Sequence, residues 1–218
     1  MRTLRNAGGP HIHFDALRST WLGCGKTDEQ KERGLRGGES ANTVVALVRP
    51  TSLPPVAVDD PPTPPATPKE SPETPPATIL GDQSFGAWAQ LGLAASTGGA
   101  SYVFRYKHHD ELAGWHNLDS ASATLASGFH IVAATRDGLG ARLYVDDVVS
   151  QPEFPFTQAI GMSCIGGGKV VADTPGDYEK AQNFFDGDIC EIIVFNRALD
   201  ATEMAFLRMY LRMSWGVP

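Results

Sequence analysis

The chain has 218 residues, enough for one well-buried core, and it is rich in glycine and proline with only 20% charged residues, which favours turn-rich β architecture over helical bundles. A formal net charge of −7 with no basic stripe works against a phosphate-tracking, nucleic-acid role. No run approaches the roughly 18 apolar residues of a membrane span, and the start MRTLRNAGGPHIHFD has no apolar stretch suited to a secretion signal, so synthesis in a reducing cytosol is expected.

The first strand-like run is HIHF. His11, His13 and Asp15 alternate onto one face, a spacing that could set three ligands around a divalent metal. The glutamate that follows the HxH of cupins is missing, so a solvent-facing polar side opposite Ile12 and Phe14 is the better account. After the strand TVVALV comes PTSLPPVAVDDPPTPPATPKESPETPP, which holds eleven of the sixteen prolines. Such a stretch cannot form a ladder or bury a core. The 49 residues ahead of it are too few for a core of their own, so we read one domain, 1–218, with a Pro-rich insertion at about 50–77.

TILG, AWAQLGLA and SYVFRY continue the period-two pattern. The next stretch, RYKHHDELAGWHNLDS, reads as a loop whose Tyr106, His108, His109, Trp115 and His116 could stack on a sugar, or else serve the core or a subunit contact. The pair FHIVAATRDGLGARLYVDD is the clearest hairpin, with Asp137 and Gly138 expected to supply its positive backbone angles. Asp146 and Asp147 at its end offer oxygens to calcium, but two acids are not a cage.

GMSCIGGGKV places its lysine too late, and Val170 where a hydroxyl is needed, for a phosphate loop, and reads as a glycine-rich strand end. FDGDICE gathers Asp186, Asp188 and Glu191 ahead of IIVF. Simple alternation puts Glu191 on the face opposite Asp186 and Asp188 unless a bulge intervenes, which spoils a catalytic triad and leaves the start of a strand. Cys24, Cys164 and Cys190 are odd in number and form no CxxC, so they are expected to be inert thiols. The last element is helical. Asp200 and Glu203 form a capping box, Gly216 stops the helix, and Met204, Leu207, Tyr210 and Leu211 make the stripe expected to pack on a sheet.

The order FHIVAATRDGLGARLYVDD, CIGGG, FFDGDICEIIVFNRALDATEM and YLRMSWG resembles the concanavalin A-like, laminin G-like jelly-roll superfamily of bacterial or phage type, over roughly residues 10 to 216. The chain departs from that pattern in its Asp146–Asp147 turn, where Asp-Gly is usual, and in lacking some 50 residues that many bacterial members carry ahead of the HIHF-like strand. A domain of that kind is expected to be trimmed or completed by a neighbour.

The resemblance implies an all-β, two-sheet antiparallel jelly-roll sandwich with one C-terminal helix. Such domains mostly bind glycans or proteins at surfaces, some through calcium, while a glucanase branch uses a Glu-x-Asp-x-Glu strand. The expectation is therefore a non-catalytic recognition or structural module, a virion decoration, spike or tail component. Its expected partners are other copies, neighbouring particle subunits or cell-surface glycans. Its ligand-binding candidates are Tyr106, His108, Trp115 and His116, with no metal or other cofactor assigned. The alternative is a carbohydrate-active enzyme with paired carboxylates in a cleft.

Overall fold

The apolar runs pair into sheets, which the computed structural model describes over residues 11–14, 22–23, 41–52, 77–81, 88–95, 101–110, 114–121, 128–137, 140–150, 164–169 and 181–217. The first antiparallel sheet runs β1 (Ile12–Phe14), β14 (Gly187–Phe195), β3 (Asn42–Pro50), β8 (His130–Asp137), β9 (Gly140–Val145) and β10 (Val148–Val149). The second runs β2 (Leu22–Gly23), β11 (Cys164–Ile165), β4 (Ala77–Gly81), β5 (Trp88–Ala95), β6 (Tyr102–Asp110) and β7 (Gly114–Asp119). A two-stranded ribbon joins β12 (Gly168–Lys169) to β13 (Ala181–Gln182). With the closing helix α1 (Ala201–Trp215), this is the jelly-roll sandwich that the resemblance implied.

Alternation also decides what lies between the sheets. Val44, Ala46 and Val48 of β3 and Val132 and Ala134 of β8 share one core with Leu91, Leu93, Tyr102 and Phe104 of the second sheet. Each is at most 2% exposed. Burying one such side chain contributes roughly 1.5–3 kcal/mol, so this layer supplies most of the drive to close the sandwich. Because β3 belongs to the first sheet and β4 to the second, the Pro-rich stretch between them spans a change of sheet. Its own course lies outside the described residues.

The opposite face of the first sheet carries Val45, Leu47, Ile131 and Ala133, and α1 closes over them with Met204 and Leu211. The helix starts where its caps dictate. The Asp200 carboxylate accepts from the backbone N–H groups of Thr202 (2.8 Å) and Glu203 (2.9 Å), Glu203 accepts from the Asp200 N–H (3.1 Å), and Gly216 ends it at φ 66°. One expectation is corrected: Tyr210 is 49% exposed on the flank of the helix, not in its buried stripe. The hairpin correction is similar. Asp137 has no positive φ; it ends β8 and accepts the Gly140 N–H (3.2 Å), and the positive angle falls on Gly140 at 144°. Gly138 lies outside the described residues, as do Asp15 and Cys24.

Candidate functional site

RYKHHDELAGWHNLDS forms the two strands of a hairpin, β6 and β7, where the sequence suggested a loop. In its register Tyr106 faces Leu118, His108 faces His116, and His109 faces Trp115. The first four of these alternate toward the sandwich interior. Tyr106 and His108 stack at 5.7 Å between ring centroids, and His108 and His116 at 5.0 Å. Three of the four candidate residues are therefore brought together, but as an internal column. Tyr106 is wholly buried and His108 is 2% exposed, so neither offers a ring to a surface ligand, and only His116 is half-buried. The cause is period two: the residues that looked like a cluster share the inward face with Leu118. Burial pushes the Tyr106 hydroxyl up to about 12, against the pull of Arg136, which burial in turn lowers from its ordinary value. The side chain of Trp115 lies outside the described residues.

The other face of the same sheet carries a polar row that the sequence did not single out. Gly81, Gln90, Lys107 and Asn117 stand side by side across β4, β5, β6 and β7, next to a second row of Thr78, Gly92, Arg105 and Asp119. The rows grade inward from the edge. Asp119 is exposed, Asn117 and Arg105 are half-buried, and Lys107 and Gln90 are 2% and 0% exposed. Arg105 grips Asp119 in a two-pronged fork, Nε to Oδ1 at 2.7 Å and Nη2 to Oδ2 at 2.8 Å. Gly81 is required where it stands. A Cβ there would lie 2.8 Å from Cγ of Gln90 and 2.9 Å from the Ala89 carbonyl oxygen. At the deep end, both amide atoms of Gln90 are buried without a hydrogen-bond partner among the described residues. An orphaned buried polar group costs about 1–3 kcal/mol, so its retention calls for an explanation. Glycines within a strand often mark close approach of another backbone, and Gly81 admits the neighbouring β5 in this way.

The acid cluster FDGDICE resolves differently. The β14 register shifts between Ile189 and Glu191, a bulge at Cys190. The bulge overturns the simple alternation. Asp188 and Glu191 share the helix-side face, opposite Arg49 and Leu47, while Ile189, Ile192 and Val194 point into the sandwich. Asp186 precedes the strand, and its carbonyl accepts the Thr51 N–H (3.0 Å). Gly187 must be glycine, because at φ 151° a Cβ would meet the Arg49 carbonyl oxygen at 2.3 Å.

The Asp188 side chain, 3% exposed, is ringed by cations and donors. Arg49 donates to Oδ2 from both Nε (2.8 Å) and Nη2, His13 Nδ1 lies 2.9 Å from Oδ1, and His11 Nε2 lies 3.5 Å from it. Burial pushes its pKa up, but the hydrogen bonds from His13 and Arg49 outweigh burial and hold it below the usual carboxylate range. The carboxylate thus clamps edge strand β1 and β3 to β14. Glu191 accepts from Trp215 Nε1 (2.6 Å) and Tyr210 Oη (3.4 Å), tying the strand to α1. Burial first, and Asp188 second, push the Cys190 thiol up to about 11, so it is protonated at neutral pH and a poor nucleophile.

Asp146 and Asp147 are likewise committed. Asp146, at φ 52°, accepts the Ile131 N–H (2.9 Å) and lies 2.8 Å from His130 Nδ1, whose Nε2 is 3.2 Å from Tyr102 Oη across the sandwich. Asp147 takes Arg212 at 2.8 Å. These side chains lock the turn that departs from Asp-Gly. Among the described residues no group of three or more His, Cys, Asp or Glu side chains is arranged to hold a metal. The glycine-rich stretch is a strand end, as expected: Gly166, at φ 77°, donates to Ile79 (2.9 Å) between β11 and β12.

No protein family model matches the chain, and no curated protein matches it. The chain is similar to several solved structures. The carbohydrate-binding module CBM40 of the Ruminococcus gnavus IT-sialidase is similar over 91% of this chain and 95% of its own, at 14% identity and a TM-score of 0.50. Domain 4 of AbnA, a GH43 extracellular arabinanase from Geobacillus stearothermophilus, solved with arabinotriose, matches over 79% and 69% at 17% identity and a TM-score of 0.48. The heptameric SAP-like pentraxin of Limulus polyphemus matches over 74% and 68% at 12% identity and a TM-score of 0.47.

Proposed function

We propose that the chain is a non-catalytic recognition module that takes a glycan on the outer face of its second sheet. The fold alone hosts unrelated functions, so the reading stands on the site. Its single strongest support is the exposed Asp119, gripped by Arg105 and bordered by the half-buried Asn117, at the outer end of a polar row whose buried inner members, Lys107 and Gln90, lie behind it. An amide and a carboxylate–guanidinium fork suit the alternating donors and acceptors of sugar hydroxyls.

The rival hydrolase would need one carboxyl free to protonate the leaving oxygen and a second to attack or activate water. Asp188 and Glu191 instead hold β1 and α1 in place, which favours the binding reading. Display at the surface of a virion or another external surface belongs to the same proposal and rests on the sequence argument. A glycan array followed by calorimetry on the best hit tests the whole. Binding that falls at least tenfold in Asp119→Ala and Asn117→Leu supports the outer face, whereas silence across the array, or hydrolysis of the hit, overturns the reading.

A further inference from the structure

Helix α1 is apolar on two opposite sides. Met204 and Leu211 face the first sheet, yet Phe206, Met209, Tyr210 and Met213 are 62%, 51%, 49% and 63% exposed. At about 100° per residue these four centre on the direction opposite the buried stripe. A helix that is hydrophobic all round belongs in a covered position.

We propose that this second stripe is a self-association surface on which another copy of the chain packs its own α1, antiparallel, about a two-fold axis passing between residues 209 and 210. The spacing is self-complementary. That axis sets Phe206 of one copy against Met213 of the other at the centre of the stripe, the two copies of Met209 beside each other on one flank, and the two of Tyr210 on the other. Thioether–aromatic contacts are favourable, and two-fold pairing of like surfaces is the commonest form of assembly.

Area and charge agree. At these exposures the four residues present roughly 500 Å² per copy, so pairing removes about 1,000 Å² in all, the size at which a specific interface begins. Two chains of charge −7 repel overall, but the stripe carries no formal charge. Its flanks are neutralised within each copy, Arg212 by Asp147 at 2.8 Å and Glu203 by Arg197 at 2.6 Å. This inference is independent of the glycan reading and uses the opposite side of the sandwich.

Charge swapping at Met209 tests it, because the axis sets the two copies of that residue close together. Sedimentation velocity on the full chain at about 100 µM should show a dimer, Met209→Glu and Met209→Lys should each weaken association at least tenfold, and mixing the two variants should restore it. Circular dichroism confirms that both variants fold, as substitution at a half-exposed position allows. A monomeric unmodified chain, a dimer that both variants retain, or a mixture that stays monomeric would overturn the proposal.

Discussion

On the outer face of the first sheet, Val45, Leu47, Ile131 and Ala133 lie under Met204 and Leu211, and the acids Asp188 and Glu191 beside them are each held by donors. On the outer face of the second sheet, Gln90 and Lys107 are as deeply buried, but the Gln90 amide has no partner among the described residues for either atom. Both faces arise from the same period-two alternation within one sandwich. The difference lies in what their polar groups do. A satisfied buried carboxylate positions strands; an unsatisfied buried amide costs stability.

The largest effect should come from opening the helix-covered side. Met204→Ala removes a wholly buried side chain between α1 and the sheet and should cost about 3 kcal/mol, read from urea unfolding midpoints. Asp188→Asn should cost less, about 2 kcal/mol at pH 7, since Arg49 is part-exposed and partly solvated when its partner is lost. Its pH dependence is the sharper measurement. The folded-state value of Asp188 lies below the unfolded one of about 3.9, so unfolding takes up a proton between them. The contribution is complete above the unfolded value and disappears as pH falls through the folded one. The gap in stability between the unmodified chain and the variant should therefore close in acid; a gap constant with pH would remove the clamp from the account.

The smallest effect has the opposite sign. Gln90→Leu replaces two orphaned polar atoms by methyl groups of similar bulk and should leave thermal stability unchanged or raise it by about 1 kcal/mol. A loss of stability at Gln90 comparable to that at Asp188 would make the two faces alike and end the contrast.

Much of this fold was legible in the chain. HIHF, TVVALV, TILG, AWAQLGLA, SYVFRY, FHIVAAT and CEIIVF all fall on strands because β-branched and aromatic residues alternate there, and α1 begins and ends at Asp200 and Gly216 because its capping chemistry is local. What depends on a distant partner was not legible. GWHNLD read as a loop because an edge strand with a polar face lacks the apolar alternation of a central one, although Arg105, Lys107, Asn117 and Asp119 do alternate once the two strands are set in register. The clamp on Asp188 joins residues 175 positions apart, and no local pattern announces it. Gln90 could have been flagged by its place between Ala89 and Leu91, which turns it away from the core beside Gly92; that this second face would also be buried could not.

The bulge at Cys190 makes β14 a strand that must be counted as well as composed. Deleting Cys190 would remove the bulge and leave Ile192 and Val194 in the sandwich, whereas deleting a residue beyond it would turn those that follow to the opposite face. Across related sequences this segment should therefore tolerate loss of the bulged residue itself, while gaps within Glu191–Phe195, where the count of residues sets which side chains meet the helix, should be rarer than in any loop.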